Sequence, residues 1–114
     1  MIQTSSEKSL LLQFTGETPL FKIIDFLVYN LSSDFSKKQI AEGTGLSRAS
    51  VFHYWNLLER YGIVKVTRSF GKTRLYTLNK KNAVTQKILE LEKALIGESL
   101  ERHIVRKQNE AETY

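Results

Sequence analysis

The chain has 114 residues and a mass of 13.2 kDa, and 41% of its residues are hydrophobic and 25% charged, values that fit one folded domain and exclude a fully disordered chain. It contains no cysteine and two histidines, which excludes a disulfide scaffold, a thiolate zinc site and a cysteine nucleophile and argues against a histidine metal site. The net charge is +5 and the isoelectric point is about 9.5, which favours a negatively charged partner. We expect neither a metal nor a cofactor.

The sequence lacks the pattern of a membrane or secretory segment. None of its apolar runs reaches the roughly 18 residues that a transmembrane helix needs. No basic stretch precedes the apolar residues Leu10–Leu12, which argues against a secretory signal. We therefore expect a cytoplasmic protein that has no membrane partner.

The basic charge is concentrated in the middle of the chain. Residues 36–80 carry nine Lys and Arg residues against two Glu residues, whereas residues 1–35 carry two basic and four acidic residues. Residues 81–114 are balanced, with six residues of each sign. Solubility would be served equally well by an even spread, so this concentration favours a nucleic-acid partner.

Helix signals begin early in the chain. The run 9–14 is compatible with a short helix that Gly16 ends. Thr18 followed by Pro19 is typical of a helix start, because threonine caps free N–H groups and proline fits the first turn. Apolar residues then recur at helical spacing and predict a helix over 19–31. The polar residues of this helix that are expected to face solvent are Lys22, Asp25 and Asn30.

Two further helices follow and are joined by a glycine turn. Ser36 and Gln39 have the spacing of a capping box, which predicts a helix over 36–43. The segment Gly43–Leu46 predicts a tight turn with one glycine in a left-handed conformation. A serine cap then predicts a helix over 47–61. The apolar face of this helix consists of Val51, Tyr54, Trp55 and Leu58.

The period of the apolar residues then changes from about 3.6 to 2. Val64 and Val66 alternate with polar neighbours, as do Tyr76 and Leu78 further along. Glycine in the intervening turn supplies the positive φ that a tight connection needs. The sequence therefore predicts a β-hairpin over 63–79 with a basic tip.

A long final helix is predicted over 82–107, followed by a polar tail. Its apolar residues fall at spacings of 4, 3 and 4 and form a heptad-like seam. This seam needs a partner, which is either the helix over 19–31 or the same helix of a second chain. The helix is longer than a single small domain can cover, so we favour a homodimer. The residues expected at the dimer interface are Val84, Ile88, Leu91 and Leu95.

Three segments in this order resemble winged helix-turn-helix transcriptional regulators of the small archaeal and bacterial MarR/ArsR-like kind. They are Ser36–Val51, Leu57–Val64 and Gly71–Leu78, and the resemblance covers residues 20–80 well and the final helix more loosely. The resemblance implies an α+β, mostly helical fold with a three-helix core, a β-hairpin wing and a long C-terminal helix. The expected organisation is an N-terminal segment (1–17), a winged DNA-binding domain (18–80), a dimerisation helix (81–107) and a disordered tail (108–114).

The resemblance places the helix 47–61 in the major groove of double-stranded DNA and the hairpin 63–79 beside it as the wing. Arginine can pair with guanine and asparagine with adenine, and lysines at a helix start favour phosphate. The role of Phe52 stays open between contact with thymine methyl groups and packing on a dimer neighbour. The residues expected to bind DNA are Lys37, Lys38, Ser47, Arg48, Ser50, Phe52, His53, Asn56 and, at the wing tip, Arg68, Lys72 and Arg74.

These features predict a homodimeric, sequence-specific DNA-binding protein that regulates transcription from a pseudo-palindromic site, as a repressor rather than an activator. Two alternatives stay open. One is a winged-helix module that binds protein within the transcription or replication machinery, and the other is an architectural or partition protein with low sequence preference. No catalytic triad or paired-carboxylate pattern stands out, so we expect no enzymatic activity.

Overall fold

The computed structural model describes the backbone of residues 8–112 and the side chains of residues 8–103. Within this range the chain forms five helices and one two-stranded antiparallel sheet. The α+β winged helix-turn-helix architecture predicted from the sequence is confirmed. In chain order the elements are α1 (Leu10–Thr15), α2 (Pro19–Tyr29), α3 (Lys37–Thr44), α4 (Arg48–Arg60), β1 (Val64–Phe70), β2 (Thr73–Leu78) and α5 (Ala83–Glu112).

The helices begin at the capping residues that the sequence predicts. The side chains of Thr18 and Ser47 each accept a hydrogen bond from a backbone N–H in the first turn of α2 and α4. At the start of α3, Ser36 Oγ accepts the N–H of Gln39 at 3.2 Å, and Gln39 Oε1 accepts the N–H of Ser36 at 2.9 Å. This is the reciprocal capping box, so the start of α3 is set by local hydrogen bonds alone.

The polar face of α2 is less exposed than the sequence predicts. Lys22 and Asp25 are half-buried, and Asp25 Oδ1 accepts a hydrogen bond from Ser9 Oγ at 2.6 Å. Asn30 is buried, and its amide donates to the carbonyl oxygen of Phe26 at 2.9 Å. The prediction that Asn30 faces solvent was wrong, because a backbone acceptor within the same helix satisfies its amide inside the protein.

Two glycines allow α3 to turn into α4 and to approach α2. Gly45 ends α3 with a φ of +74°, the left-handed conformation that residues with a Cβ rarely adopt. Gly43 lies against the ring of Phe26, and a Cβ at this position would overlap with that ring. The pair therefore fixes both the turn and the close packing of the helix-turn-helix unit on α2.

The wing is the hairpin formed by β1 and β2. The strands pair from Val64 and Leu78 at the base to Phe70 and Thr73 at the tip, with an irregularity in register after Val66. Because side chains alternate between the two faces of a strand, only one face of the hairpin packs on the core, and it does so at the base. The tip of the hairpin extends into solvent.

Phe35 attaches the wing to the helical core. Its N–H donates to the carbonyl oxygen of Tyr76 at 2.9 Å, and the N–H of Tyr76 donates back at 2.8 Å. The Phe35 side chain is buried and meets the ring of Phe26 edge-on, with the ring centroids 4.9 Å apart. Phe35 thus joins the segment before α3 to β2 through an isolated antiparallel bridge.

The first turn of α5 is tied to the turn between α4 and β1. Asn82 Oδ1 accepts the N–H of Thr85 at 3.1 Å, and Asn82 Nδ2 donates to the carbonyl oxygen of Tyr61 at 2.7 Å. Thr85 is buried and its hydroxyl donates to the carbonyl oxygen of Ile63 at 3.3 Å. These bonds fix where α5 begins relative to the end of α4.

The seam of α5 packs partly on its own chain. Ile88, Leu91 and Leu95 are half-buried against the core, and Leu89, outside the predicted seam, joins them. Val84 is 42% exposed. The intrachain neighbour of α5 is chiefly α1, not the helix predicted over 19–31. The face of α5 that packs is therefore rotated relative to the predicted seam.

α5 is longer than the sequence predicts. It continues to Glu112, past the expected end at residue 107, and so includes the first part of the segment 108–114 expected to be disordered. Gly97, where the apolar spacing is interrupted, lies inside this helix with no other group close to it.

Candidate nucleic-acid interface

The exposed face of α4 presents the residues predicted to face bases. Val51, Trp55 and Leu58 are buried and therefore fix the rotation of α4 about its axis. The opposite face is open to solvent over the length of the helix, as the apolar spacing predicts. The residues predicted to bind DNA that are exposed on it are Arg48, Phe52, His53 and Asn56.

The first turn of α4 is built from short polar side chains and one arginine. Ser47 is exposed, and its Oγ accepts the N–H of Ser50 at 3.1 Å, which leaves the hydroxyl hydrogen available for a phosphate or a base. Ser50 is half-buried at the edge of the exposed face. Arg48 is exposed and forms no ion pair with any described residue. Its guanidinium is therefore free to bind a ligand.

A basic groove separates α4 from the wing, with a volume of about 540 Å³. Its lining residues come from the start of α3, from α4 and from the wing, and four of them are cationic. None of these four forms an ion pair among the described residues. We call this the wing groove, and its lining residues are Ser36, Lys37, Lys38, Phe52, Lys72, Thr73, Arg74 and Tyr76.

Lys37 is held within this groove by aromatic rings. Its Nζ lies 4.8 Å from the ring centroid of Phe52, 5.6 Å from that of Trp55 and 5.7 Å from that of Tyr76. Distances below about 6 Å are those of a cation–π interaction. Within the chain, Phe52 thus contacts a lysine ammonium, an interaction that neither of the two sequence-based alternatives for this residue includes.

Arg68 lies apart from Lys72 and Arg74. Its register partner is Leu75, which places it on the opposite face of the hairpin from Tyr76 and Arg74. Its Nε donates to Asp34 Oδ2 at 2.9 Å and a terminal nitrogen donates to Asp34 Oδ1 at 3.1 Å. The sequence placed Arg68 at the wing tip, whereas the structure pairs it with the loop between α2 and α3.

The Asp34–Arg68 contact is a charge-assisted, two-point pair. The Arg68 hydrogen bonds, followed by one from the Thr67 hydroxyl, hold the pKa of Asp34 below its usual value. Asp34 in turn raises the pKa of Arg68. Both groups stay charged throughout the physiological range, so the charge of Arg68 is locally neutralised.

Sequence reasoning did not find the residues that arrange these cations. Asp34 falls in a loop, and no local pattern links it to Arg68. Trp55, predicted on the buried face of its helix, and Tyr76, predicted in the second strand of the hairpin, are both buried, and their rings also face Lys37. A usable signal was the two-residue strand period, which puts Arg74 and Tyr76 on one face of β2.

The part of the chain that the structure describes contains neither a cluster of metal-binding side chains nor a helix that could span a membrane. No three His, Asp or Glu side chains there come close enough to hold a metal ion. No helix within the same residues combines the length and apolar character needed to cross a membrane.

Comparison with solved structures identifies proteins that share this fold. MepR, a transcription regulator of the multidrug efflux pump MepA in Staphylococcus aureus, matches with a TM-score of 0.62 and 15% identity over 90% of this chain and 76% of its own. A MepR mutant bound to an oligodeoxyribonucleotide matches with a TM-score of 0.64 and 15% identity over 91% of this chain and 77% of its own.

Two further structures extend the likeness to other bacteria. A ZitR mutant from Lactococcus lactis matches with a TM-score of 0.55 and 17% identity over 82% of this chain and 72% of its own. Reduced HlyU from Vibrio cholerae matches with a TM-score of 0.51 and 21% identity over 75% of this chain and 81% of its own. No protein-family model and no curated protein sequence matches the chain. At these low identities the likeness shows a shared fold.

Proposed function

We propose that this winged helix-turn-helix chain is a homodimeric, sequence-specific DNA-binding protein that regulates transcription in the cytoplasm. The observation that carries the proposal is the wing groove, whose four cations lie beside the exposed face of α4 without acidic partners among the described residues. A cationic surface of this kind attracts the phosphate backbone and so positions the adjacent helix on the duplex.

In this proposal α4 enters the major groove and the wing lies along the adjacent backbone. Arg48 can donate two hydrogen bonds to a guanine edge, and Asn56 can donate one to and accept one from an adenine edge. Lys37 and Lys38 in the first turn of α3, with Lys72 and Arg74 across the wing groove, would bind phosphates. Support comes from MepR, which shares the fold and has been captured, as a mutant, on an oligodeoxyribonucleotide.

We propose that α5 and α1 join two chains. A helix of 30 residues spans about 45 Å at 1.5 Å per residue, and the described residues beyond Leu95 are all exposed. Large apolar side chains remain uncovered on these elements, with Phe14 66%, Ile96 42% and Leu100 60% exposed. A twofold dimer would present two copies of α4 to half-sites about one helical turn apart.

Repression is the regulatory sense that we propose. Binding of a dimer across a promoter is enough to exclude polymerase, whereas activation requires a further contact with polymerase. The partner in either case is a pseudo-palindromic stretch of double-stranded DNA.

Selection of bound duplexes from a random DNA pool, followed by binding titrations at several salt concentrations, tests this function. We expect a two-fold symmetric consensus, with affinity for it at least about a thousandfold above that for random DNA. Salt-sensitive binding without a consensus would instead indicate an architectural protein of low specificity. Failure to bind duplex DNA or heparin at low salt would favour a protein-interaction module and refute the proposal.

A further inference from the structure

The start of α3 holds a lysine where a helix normally favours an acid. The partial positive charge of the helix N-terminus disfavours cations, yet the first turn contains Lys37 and Lys38 and no acidic residue. Lys37 is half-buried and forms no ion pair with a described residue. Its place in the wing groove therefore needs another source of stabilisation.

Three aromatic rings supply it. Trp55 and Tyr76 are 1% and 6% exposed and meet edge-on with their ring centroids 4.8 Å apart, so they form a fixed wall. Phe52 is 54% exposed and covers the ammonium from the α4 side, with the shortest ring distance, 4.8 Å. An exposed phenylalanine on a polar helix face is thus explained by its contact with Lys37.

A ring differs from a carboxylate as a partner for lysine. A carboxylate would neutralise the ammonium, as Asp34 does for Arg68 on the other face of the wing. A ring attracts the cation through its quadrupole and leaves both the net charge and the N–H donors of the ammonium available. The side chain is then ordered in advance, which reduces the entropy lost when an anion binds.

We propose that Phe52 is a positioning residue that holds Lys37, against the wall of Trp55 and Tyr76, as a preordered binding group for a phosphate of the DNA backbone. This inference rests on the proposed function. Phe52 acts through Lys37 and does not itself read bases, in contrast to both roles expected from the sequence. Lys38 lies next in the chain, lines the same groove and is exposed, with no ring partner among the described residues. It is therefore the matched control.

The first test is an NMR measurement on the free protein. The rings should shift the ε-methylene resonances of Lys37 upfield of those of Lys38. Phe52→Leu should move the Lys37 resonances towards those of Lys38, whereas Phe52→Tyr should preserve their position. Thermal unfolding checks that each variant is folded. Equal resonances for the two lysines in the unmodified protein, or no response to Phe52→Leu, would overturn the inference.

The second test is a double-mutant cycle in DNA binding. Phe52→Leu should weaken binding roughly two- to fivefold, and Phe52→Tyr should restore most of the loss. In a Lys37→Met background the Phe52→Leu effect should vanish, whereas in a Lys38→Met background it should persist in full. An equal Phe52→Leu loss in both backgrounds would mean that Phe52 contacts DNA itself. If the unmodified protein is folded but does not bind DNA, the proposed function is refuted. If it binds DNA but Phe52→Leu and Lys37→Met show no coupling, only this inference is refuted.

Discussion

Arg48 and Arg68 are both exposed arginines of the basic middle segment, yet the fold gives them different electrostatic roles. Arg48 begins α4 without an acidic partner among the described residues, so its five donors are available to a ligand. Arg68 already uses two of its donors to bind Asp34. Residue type and local charge density alone do not separate the two, because the distinction depends on a carboxylate 34 positions away in the chain.

We predict that Arg48→Ala lowers the affinity for the preferred DNA site by roughly 1–3 kcal/mol and relaxes the base preference at one position. The reason is the loss of a two-point contact to a guanine edge from the first turn of α4. Binding titrations on the preferred duplex and on its single-base variants measure both effects. Equal losses on every sequence would make Arg48 a phosphate contact.

Gly43 is required by packing and not by backbone conformation. We predict that Gly43→Ala destabilises the fold by about 1–3 kcal/mol, because a methyl group there must displace the Phe26 ring between α2 and α3. Gly97→Ala is the matched control, since nothing surrounds Gly97 within α5, and it should stabilise by about 0.5–1 kcal/mol. Urea unfolding measures both. A neutral Gly43→Ala variant would contradict this account of the helix packing.

At the scale of elements, the wing has two faces with different charge environments. Arg74 and Lys72 line the wing groove, which faces α4. Arg68 and Thr67 both bind Asp34, on the loop that precedes α3. The wing groove therefore provides free cations, while the cation on the other face is bound by the loop that precedes α3.

This division predicts different salt responses. Replacing Lys72 and Arg74 with Ala should reduce the slope of log affinity against log salt by about 0.9 for each phosphate that the protein no longer binds. Arg68→Ala should leave that slope nearly unchanged, because the charge removed is already paired with Asp34. Titrations on specific and random DNA over a range of salt concentrations measure the slopes. An equally large fall of the slope in Arg68→Ala would show that Arg68 exchanges Asp34 for a phosphate.

Asp25 on α2 and Glu92 on α5 are two partly buried carboxylates that influence each other electrostatically. Burial raises the pKa of Asp25 despite its hydrogen bond from Ser9. Burial and, secondarily, the nearby charge of Asp25 raise the pKa of Glu92. An acid whose folded-state pKa is raised weakens the fold once it ionises, so stability falls as pH rises through the raised values.

We predict that Glu92→Gln raises the thermal unfolding midpoint at pH 7, because it removes the partly buried charge. The gain should shrink as pH falls and disappear below about 4.5, the ordinary pKa of the carboxyl, because the group is then protonated in both the folded and the unfolded state. Glu90→Gln is the control, since Glu90 is exposed and paired with Lys87, and it should not show this gain. Calorimetry of both variants across this pH range measures the difference. A gain in Glu92→Gln that does not depend on pH would contradict its attribution to the ionised Glu92 carboxylate.

At the scale of the whole molecule, α5 has two different parts. Its first half packs against the core and α1, and its second half extends from the rest of the chain, which gives overall dimensions of 66 × 28 × 23 Å. The predicted seam residues Leu91 and Leu95 are half-buried on their own chain. The exposed apolar residues Ile96 and Leu100 are therefore the sharper probes of the proposed dimer.

We predict that Ile96→Glu combined with Leu100→Glu yields a folded monomer with an almost unchanged unfolding midpoint and much weaker DNA binding. The carboxylates oppose burial in an interface, and the second half-site is no longer tethered. Leu91→Glu combined with Leu95→Glu should instead lower the midpoint, because it disrupts packing within the chain. Sedimentation and circular dichroism separate the two. An unmodified protein that is monomeric at micromolar concentration would refute the dimer.

Local features of the sequence were sufficient to predict the winged helix-turn-helix fold. The caps at Thr18, Ser36 and Ser47, the glycine turn and the change of period at Val64 each involve residues a few positions apart. The capping hydrogen bonds join residues only three positions apart, so the sequence predicted each boundary at these points to within two residues.

The tertiary structure decided which side chains are free to act. The pairing of Arg68 with Asp34, the aromatic contacts of Lys37 and the rotation of α5 all join residues from different elements. The charges and the apolar spacing of the sequence show which residues are basic or apolar, but they do not specify which residues these contact. Electrostatic and packing interactions depend on distance in space, and distances between separate elements are set only when the whole chain folds.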